Sequence, residues 1–188
     1  MTRELQTELE PELLRGVPLD VCLEAWGKHF MPPDPGMFQV DHENYELSHV
    51  TEEYEEFLSH DWQTSRLQKL IAMLIIYNSR AAFISSLVVS LSVGVLTACE
   101  LLPKRLWIQF CSYSVFPLVL CFWQRIQRLV RVRPRTVFLD KLCIAQHDED
   151  LKQKGIFGLA GFLDHSHQLT ILWSKRYFRR LPWLFFLL

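Results

Sequence analysis

The chain has 188 residues, a formal net charge of −1 and five cysteines. This length allows one modest domain with an inserted element, and the near-neutral charge argues against a nucleic-acid-binding protein. An odd number of cysteines without paired spacing argues against a disulfide framework, and no Cys/His cluster has the spacing of zinc ligands.

Residues 1–53 are predicted to form an acidic N-terminal arm with short helices. We expect one helix over residues 2–15, which a threonine can cap, and a second over residues 20–30. Residues 31–36, Met-Pro-Pro-Asp-Pro-Gly, break the pattern because proline cannot continue a helix and glycine turns freely. Residues 37–53 are polar with scattered apolar side chains, and we expect an irregular arm or a linker there.

Residues 54–80 are predicted to supply the first strand and the first helix of an α/β domain. Residues 54–58, Tyr-Glu-Glu-Phe-Leu, are typical of a short strand, and residues 59–62 follow as a polar turn. Thr64 or Ser65 can cap the next helix. That helix becomes apolar after its first turns, and we expect it to continue into the following membrane segment with at most a bend.

Two long uncharged runs, residues 81–99 and 106–123, lie in the middle of the chain. A membrane-spanning helix needs roughly 20 apolar residues, with about 17 as the lower limit, and both runs reach that range. The connector, residues 100–105, is so short that it can join only antiparallel neighbours. Residues 81–123 are therefore predicted to form a transmembrane helical hairpin. The alternative is a pair of core helices in a soluble protein, but such helices normally show a polar stripe.

Arginines are concentrated after the second run, in a basic juxtamembrane segment, residues 124–135. Basic residues near span ends favour the cytoplasmic side, so we expect an integral membrane protein with two spans and both termini in the cytoplasm. The arginines suit anionic lipid headgroups, and nucleic-acid binding is disfavoured because the segment adjoins a span. The predicted lipid-headgroup patch consists of Arg125, Arg128, Arg131, Arg133 and Arg135.

Strand and helix patterns resume in residues 136–188. Residues 136–139, Thr-Val-Phe-Leu, are typical of a buried strand that ends at Asp140, and residues 169–173 are predicted to form a third strand. The alternation of strands and helices is typical of a parallel α/β sheet, whose ligand sites lie at the carboxyl ends of the strands. We therefore expect three polar segments to meet at that edge: residues 59–62, residues 140–146 and the residues from Ser174 onward.

The connection between the second and third predicted strands contains a loop and a helix. The loop covers residues 141–146. Asp148 can cap the helix, which is expected to run to about Asp164. Its predicted apolar face consists of Ile156, Leu159, Ala160 and Leu163.

Three motifs in these strands resemble a Toll/interleukin-1 receptor/resistance (TIR) domain. They are Phe57-Leu-Ser-His-Asp-Trp62, Phe138-Leu-Asp-Lys-Leu-Cys-Ile-Ala-Gln146 and Leu172-Trp-Ser-Lys-Arg-Tyr177. Their order, with a membrane hairpin between the first and the second, is similar to a divergent TIR-like group of algal and dinoflagellate proteins. The resemblance implies an α/β fold with a partial TIR or flavodoxin-like parallel sheet of about three strands, interrupted by the hairpin. It also implies a domain truncated at its C-terminal end.

The resemblance further implies where a ligand and a partner would bind. Catalytic TIR domains are NAD glycohydrolases that use a glutamate early in the helix after the third strand, and Phe186 stands at that position here. Because phenylalanine cannot stabilise an oxocarbenium charge, we assign no catalytic residue and require no cofactor, and NAD is the cofactor an intact pocket would take. The candidate nucleotide pocket consists of Ser59, His60, Asp61, Trp62, Lys141, Trp173 and Ser174. The interaction loop implied in self-association consists of Asp140, Lys141, Leu142, Cys143, Ile144 and Gln146.

Plainer structural roles are open for several of these residues. His60 and Asp61 can cap the following helix, and Asp140 can be a strand-end turn residue. Cys143 is either a low-pKa thiol or, more commonly, a small buried hydrophobic residue. Trp173 fits a core position better than a stacking platform.

Three functions are compatible with these patterns. The one we favour is a membrane-anchored TIR-like signalling and interaction module without catalysis, whose partners are membrane lipids and other TIR-like domains, including its own copies. The second is a TIR-type NAD glycohydrolase whose glutamate is missing here or supplied in trans. The third is a non-enzymatic hairpin that anchors or shapes a membrane. No metal site and no nucleic-acid partner are expected.

Overall fold

A computed structural model describes residues 9–31, 42–102, 107–130, 133–174 and 177. The chain divides into two compact units. The first unit combines Met1–Leu70 with Pro134–Leu188, and the second unit is Ile71–Arg133. The described part of the first unit is a mixed α/β structure, and that of the second unit is helical.

The first unit contains a five-stranded mixed sheet in the order β2-β1-β4-β3-β5. Strand β3 is parallel to both of its neighbours, β4 and β5, whereas β1 is antiparallel to both β2 and β4. The predicted parallel arrangement of three strands is therefore confirmed, and two antiparallel strands extend it. The strands are β1 (Arg15–Pro18), β2 (His49–Val50), β3 (Glu56–His60), β4 (Thr136–Phe138) and β5 (Leu169–Leu172).

The described helices fall into short pieces of the first unit and two long elements that form most of the second unit. A 3-10 turn over Lys28–Phe30 directly follows the second helix. In chain order the helices are α1 (Leu19–Cys22), α2 (Glu24–Gly27), α3 (His42–Glu46), α4 (Arg66–Ala98), α5 (Trp107–Leu129), α6 (Asp140–Cys143), α7 (Glu149–Phe157) and α8 (Leu159–Asp164).

The core of the first unit is built on both faces of β3, whose five residues are all buried. The rings of Phe57 and Phe138, on neighbouring parallel strands, stack with centroids 4.6 Å apart. Phe138 also stacks on Phe162 of α8 at 4.5 Å, and the edge of Tyr54 lies 5.9 Å from Phe138. Aromatic pairs at these distances add stabilisation of about 0.5–1.5 kcal/mol each beyond the burial of their area. This aromatic cluster holds β3, β4 and the helical layer together.

The long helix α4 covers 33 residues without interruption and begins where predicted. The hydroxyl of Ser65 accepts a hydrogen bond from the backbone N–H of Gln68 at 3.3 Å, so the predicted cap is confirmed. Among the described residues, α4 is the one helix long and apolar enough to cross a membrane. Its apolar side chains are largely exposed, including Phe83, Leu91 and Val95. The second predicted span is helical, as α5, but its ability to cross a membrane stays a prediction.

The N-terminal arm differs from its prediction because long-range pairing overrides its local propensity. Of the first expected helix, residues 2–8 lie outside the described residues, residues 9–14 form a turn, and Arg15–Pro18 is strand β1. Val17 pairs with Val137 of β4, and Gly16 with His49 of β2. This segment therefore joins the sheet by pairing with the edge of β4. Residues 32–36 of the predicted break also lie outside the described residues.

The second expected helix, residues 20–30, is broken into three short pieces. Three consecutive residues adopt the left-handed backbone region, with φ of 45° at Ala25, 59° at Trp26 and 74° at Gly27. A right-handed helix cannot pass through such a run. The expected irregular arm over residues 37–53 likewise contains α3 and β2 where it is described.

Two boundaries in the α/β pattern shift as well. The first parallel strand is Glu56–His60 and not residues 54–58, so Ser59 and His60 lie in the strand and not in a turn. The loop predicted over residues 141–146 begins as helix α6. The shift of the strand follows from pairing, because β3 continues for as long as β5 provides hydrogen-bonding partners.

The helix predicted from Asp148 to Asp164 starts correctly but is divided at Gly158. The Asp148 carboxylate accepts hydrogen bonds from the backbone N–H groups of Asp150 and Leu151, which confirms the cap. The expected apolar face is wrong, because the buried positions are Gly155 in α7 and Gly161 and Phe162 in α8. Glycine permits close approach here: a Cβ on Gly155 would lie 2.8 Å from the Ile144 side chain.

Candidate functional site

The carboxyl ends of the three parallel strands meet at one edge of the sheet, which is where ligand sites lie in parallel α/β sheets. β3 ends at His60, β4 is followed by Asp140, and β5 is followed by Ser174. The Ser174 hydroxyl lies 3.5 Å from an Asp61 carboxylate oxygen, and the Trp62 side chain donates a hydrogen bond to Asp140. These contacts bring together the three polar segments that were expected to meet.

His60 is a buried titratable group of the site, with 4% of its surface exposed. Its ring lies between Phe30, with centroids 5.6 Å apart, and Trp62, at 4.5 Å, both in edge-to-face geometry. Burial, together with the positive charge of Lys69, lowers the pKa of His60 to about 3. Its Nε2 atom has no hydrogen-bond partner within the described part of the chain. The site therefore contains a neutral imidazole with an unused ring nitrogen.

Asp61 joins the loop after β3 to the segment after β5. One carboxylate oxygen accepts from the backbone N–H of Gln63 at 3.2 Å, and the other accepts from the hydroxyls of Thr64 at 3.4 Å and Ser174 at 3.5 Å. The bond to a backbone N–H two residues on is an Asx turn. Asp61 therefore shapes the approach to α4, while Ser65 caps that helix.

Asp140 lies at the end of β4 and accepts hydrogen bonds from the Lys141 backbone N–H, at 2.8 Å, and from the Trp62 side chain. Loss of hydration raises the pKa of Asp140 to about 6, although the two hydrogen bonds and the nearby Lys69 and Lys141 oppose the shift. A carboxyl group with a raised pKa and an imidazole with a lowered pKa, at the ends of neighbouring strands, are kinds of groups found at acid–base sites.

Lys69 is the residue of this site that the sequence interpretation missed. It lies in the first turns of α4, yet only 1% of its surface is exposed. Its ammonium donates a hydrogen bond to the backbone carbonyl of Phe30 at 3.2 Å and lies 5.5 Å above the ring of Trp62, within cation–π range. One feature of the sequence could have identified it: Lys69 is the one charged residue between Arg66 and Arg80.

Lys141, in helix α6, makes a contact similar to that of Lys69. Its ammonium donates a hydrogen bond to the backbone carbonyl of Met31 at 3.2 Å. Two lysines from different elements therefore hold consecutive carbonyls of the same segment, Phe30 and Met31. This segment was not assigned to the pocket from the sequence, because its contacts depend on chain folding over long distances.

Comparisons of this chain with protein-family models, with curated proteins and with solved structures gave no match. The interpretation of the site therefore depends on its own geometry.

Two further pocket candidates differ in position. Ser59 is buried, and its hydroxyl shares a 2.6 Å hydrogen bond with the hydroxyl of Tyr177, whose pKa is raised by burial. Trp173 is 67% exposed, so the core position favoured for it is wrong. Strand alternation explains the difference, because the preceding Leu172 faces the interior.

The interaction loop expected between Asp140 and Gln146 is largely interior. Leu142, Cys143 and Ile144 are each at most 5% exposed, so their side chains pack inside the first unit. Burial raises the pKa of the Cys143 thiol to about 12, which excludes a reactive low-pKa thiol and confirms the small buried hydrophobic residue. The exposed end of the segment is Gln146.

The predicted lipid-headgroup patch is not uniform. Arg135 pairs with the buried carboxylate of Glu56 at 2.8 Å, so its guanidinium has a structural role in the first unit. Arg131 lies outside the described residues. Arg125 lies 5.4 Å from the ring of Phe122, and Arg128 and Arg133 are exposed. The four arginines of the patch that the structure describes are all exposed, and their contact with lipid headgroups stays a prediction.

A metal centre is not visible in the described ranges: they contain no cluster of three or more His, Cys, Asp or Glu side chains that could hold an ion. Phe186, which the resemblance to TIR domains would align with their glutamate, lies outside the described residues. The described site consists of a neutral imidazole, two carboxyl groups and two ammonium groups around an indole ring. These groups can bind a polar ligand and exchange protons with it.

Proposed function

We propose that this chain is a membrane-anchored TIR-like signalling and interaction module that acts by self-association and not by catalysis. α4 provides the anchor, α5 the second span, and the first unit lies on the cytoplasmic side. The single observation that supports this proposal best is the exposed apolar surface of α4.

That apolar surface would be energetically unfavourable in contact with water. Phe83, Leu87, Leu91 and Val95 are each 49% exposed or more, and they follow one another along a helix without charged neighbours. Burying a large apolar side chain stabilises a protein by about 1.5–3 kcal/mol. A run of this length left in water would be strongly unfavourable, whereas a bilayer removes it from water and leaves the backbone satisfied within the helix.

The order of the parallel strands supports the TIR-like part of the proposal. In chain order β3, β4 and β5 are the first, second and third parallel strands, and their spatial order is second, first, third. Flavodoxin-like sheets begin with this order and place their ligand at the carboxyl ends of these strands. The three TIR-like motifs lie at those same ends, around His60, Asp140 and Ser174.

Membrane partition tests the anchor. The full chain is expressed with a tag at each end; one portion of the membranes is extracted with alkaline carbonate, and a separate portion of intact vesicles is treated with protease. We expect the wild-type chain in the pellet and both tags to be cleaved from the cytosolic side. A soluble wild-type chain would overturn the anchor, and protection of either tag would overturn the two-span topology.

A matched pair of variants sharpens this test. Leu91→Lys places a charge in the apolar run, at a cost of about 2.5–3.5 kcal/mol near the bilayer centre. Leu67→Lys makes the same change in the same helix at an equally exposed position, 63% against 62%, but in the first turn. We expect the first variant to reduce the membrane fraction and the second to leave it unchanged.

NAD cleavage is the second candidate function, and two buried titratable groups at the carboxyl ends of β3 and β4, His60 and Asp140, favour it. Purified full chain in detergent is incubated with NAD, and the products are separated by chromatography. The interaction module predicts no turnover. Turnover that Asp140→Asn abolishes, while the exposed control Asp150→Asn retains it, would instead establish the enzyme.

A further inference from the structure

The segment Gly27–Met31 covers the candidate site in an unusual way. Phe30 is completely buried, and its ring lies against the edge of His60 at 5.6 Å. The groups that Phe30 contacts are polar, since they include the buried His60 ring and the ammonium of Lys69, which bonds to the Phe30 carbonyl.

The cover is held by its backbone. Lys69 donates to the Phe30 carbonyl and Lys141 donates to the Met31 carbonyl, each at 3.2 Å. The two lysines belong to α4 and α6, the helices that follow β3 and β4. Each lysine therefore holds the cover across the carboxyl end of one parallel strand.

A strained turn precedes the cover. Ala25 and Trp26 have φ of 45° and 59°, values that residues with a Cβ atom rarely adopt. Gly27 continues the left-handed run with φ of 74°. Strain of this kind persists only where surrounding contacts enforce it, and it is released when those contacts open.

We propose that residues 27–31 are an autoinhibitory cover that closes the candidate site and opens by rotation of the backbone at Ala25–Gly27. Opening removes Phe30 from His60 and exposes the unused Nε2 atom of the imidazole. The inference rests on the proposed function only in assuming that the site serves a ligand or a partner. The closed conformation is the one described here, and release of the two lysine contacts opens it.

The test measures access to His60 in the full chain in detergent. Diethyl pyrocarbonate modifies accessible neutral imidazoles, and N-ethylmaleimide modifies accessible thiols; peptide mass spectrometry measures both rates. The 2% exposed Cys143 reports opening of the whole first unit, because it lies in the core beside β4. Local opening of the cover raises the His60 rate alone.

Three variants are expected to shift the cover towards its open or its closed conformation. Gly27→Ala adds a Cβ in the left-handed region, 3.3 Å from the Phe30 ring, and should raise the His60 rate roughly tenfold. Lys141→Met removes the contact to Met31 and should also raise the rate. Ala25→Gly relieves strain and should lower it. Lys154→Met is the control, because it makes the same change at an exposed lysine that pairs with Glu10.

The proposal stands if Gly27→Ala and Lys141→Met raise the His60 rate while the Cys143 rate and the Lys154→Met control stay at the wild-type level. It is overturned if the His60 rate is unchanged, or if the His60 and Cys143 rates rise together, since that is unfolding of the unit. If Gly27→Ala fails to fold, the His60 modification rate of Lys141→Met by itself tests the proposal. The modification rates do not depend on whether the chain partitions into membranes, so this test can fail while the proposed function stands.

Discussion

Glu56, buried in strand β3, is paired with Arg135, whose guanidinium lies 2.8 Å from the carboxylate. The other carboxylate oxygen accepts a hydrogen bond from the Thr170 hydroxyl at 2.7 Å. One side chain thus links β3 to β5 and to the segment before β4. A charge at 2% exposure is tolerated because both of its oxygens have partners.

Removing Arg135 should therefore destabilise the first unit. We expect Arg135→Met to lower the free energy of unfolding by about 1–2 kcal/mol, a value reduced by the exposure of the guanidinium. Arg133→Met, the same change at an exposed neighbour, should cost less than about 0.5 kcal/mol. Urea unfolding of the detergent-solubilised chain measures both. Equal effects would show that the ion pair adds nothing.

The buried His60 should make stability fall in acid. Its pKa is about 3 in the folded chain and 6.5 without perturbation, so the unfolded chain takes up the proton first as the pH falls. The stability that His60 contributes is complete above pH 6.5 and is lost as the pH falls towards 3. His60→Gln should lose less stability than the wild type between pH 7 and pH 4.

Nitrogen NMR measures the protonation state of the His60 ring directly. The His60 ring resonances, identified by their loss in His60→Gln, should keep their neutral positions at pH 5. A change to imidazolium shifts at that pH would contradict the buried neutral state.

Asp140 should have the opposite pH dependence. Its pKa is raised from 3.8 to about 6, so the folded chain keeps a proton that the unfolded chain has lost. Its contribution to stability is present below pH 3.8 and disappears as the pH rises through about 6. Asp140→Asn should flatten this part of the stability profile. A profile that matches the wild type would show that the carboxyl group is hydrated and unperturbed.

In the helical unit, Asn78 joins α4 to α5. Its side chain donates to the Leu120 carbonyl and accepts from the Gln124 amide, both at 2.8 Å, and it is fully buried. Polar contacts between helices in lipid are worth about 0.6–2 kcal/mol. We expect Gln124→Leu to lower the thermal stability of the helical unit in detergent, measured by circular dichroism. The exposed Gln109→Leu, on the same helix, should leave it unchanged.

Local patterns by themselves determined much of this protein. Three apolar runs predicted the parallel strands, Ser65 and Asp148 predicted helix starts, and the uncharged run after Arg80 predicted the long helix α4. These features depend on neighbours a few residues away, such as a side-chain oxygen near a free N–H or the period of apolar positions. They therefore appear in the sequence without knowledge of the fold.

Only the tertiary structure decided the remaining features. β1 became a strand because β4 offered an edge, and Lys69 was buried because the Phe30 carbonyl and the Trp62 ring compensate its charge. The left-handed turn at Ala25 and Trp26 likewise appeared only in the folded chain. Each of these arrangements opposes local preference. Their free energy comes from residues tens of positions away, so their placement required the folded chain.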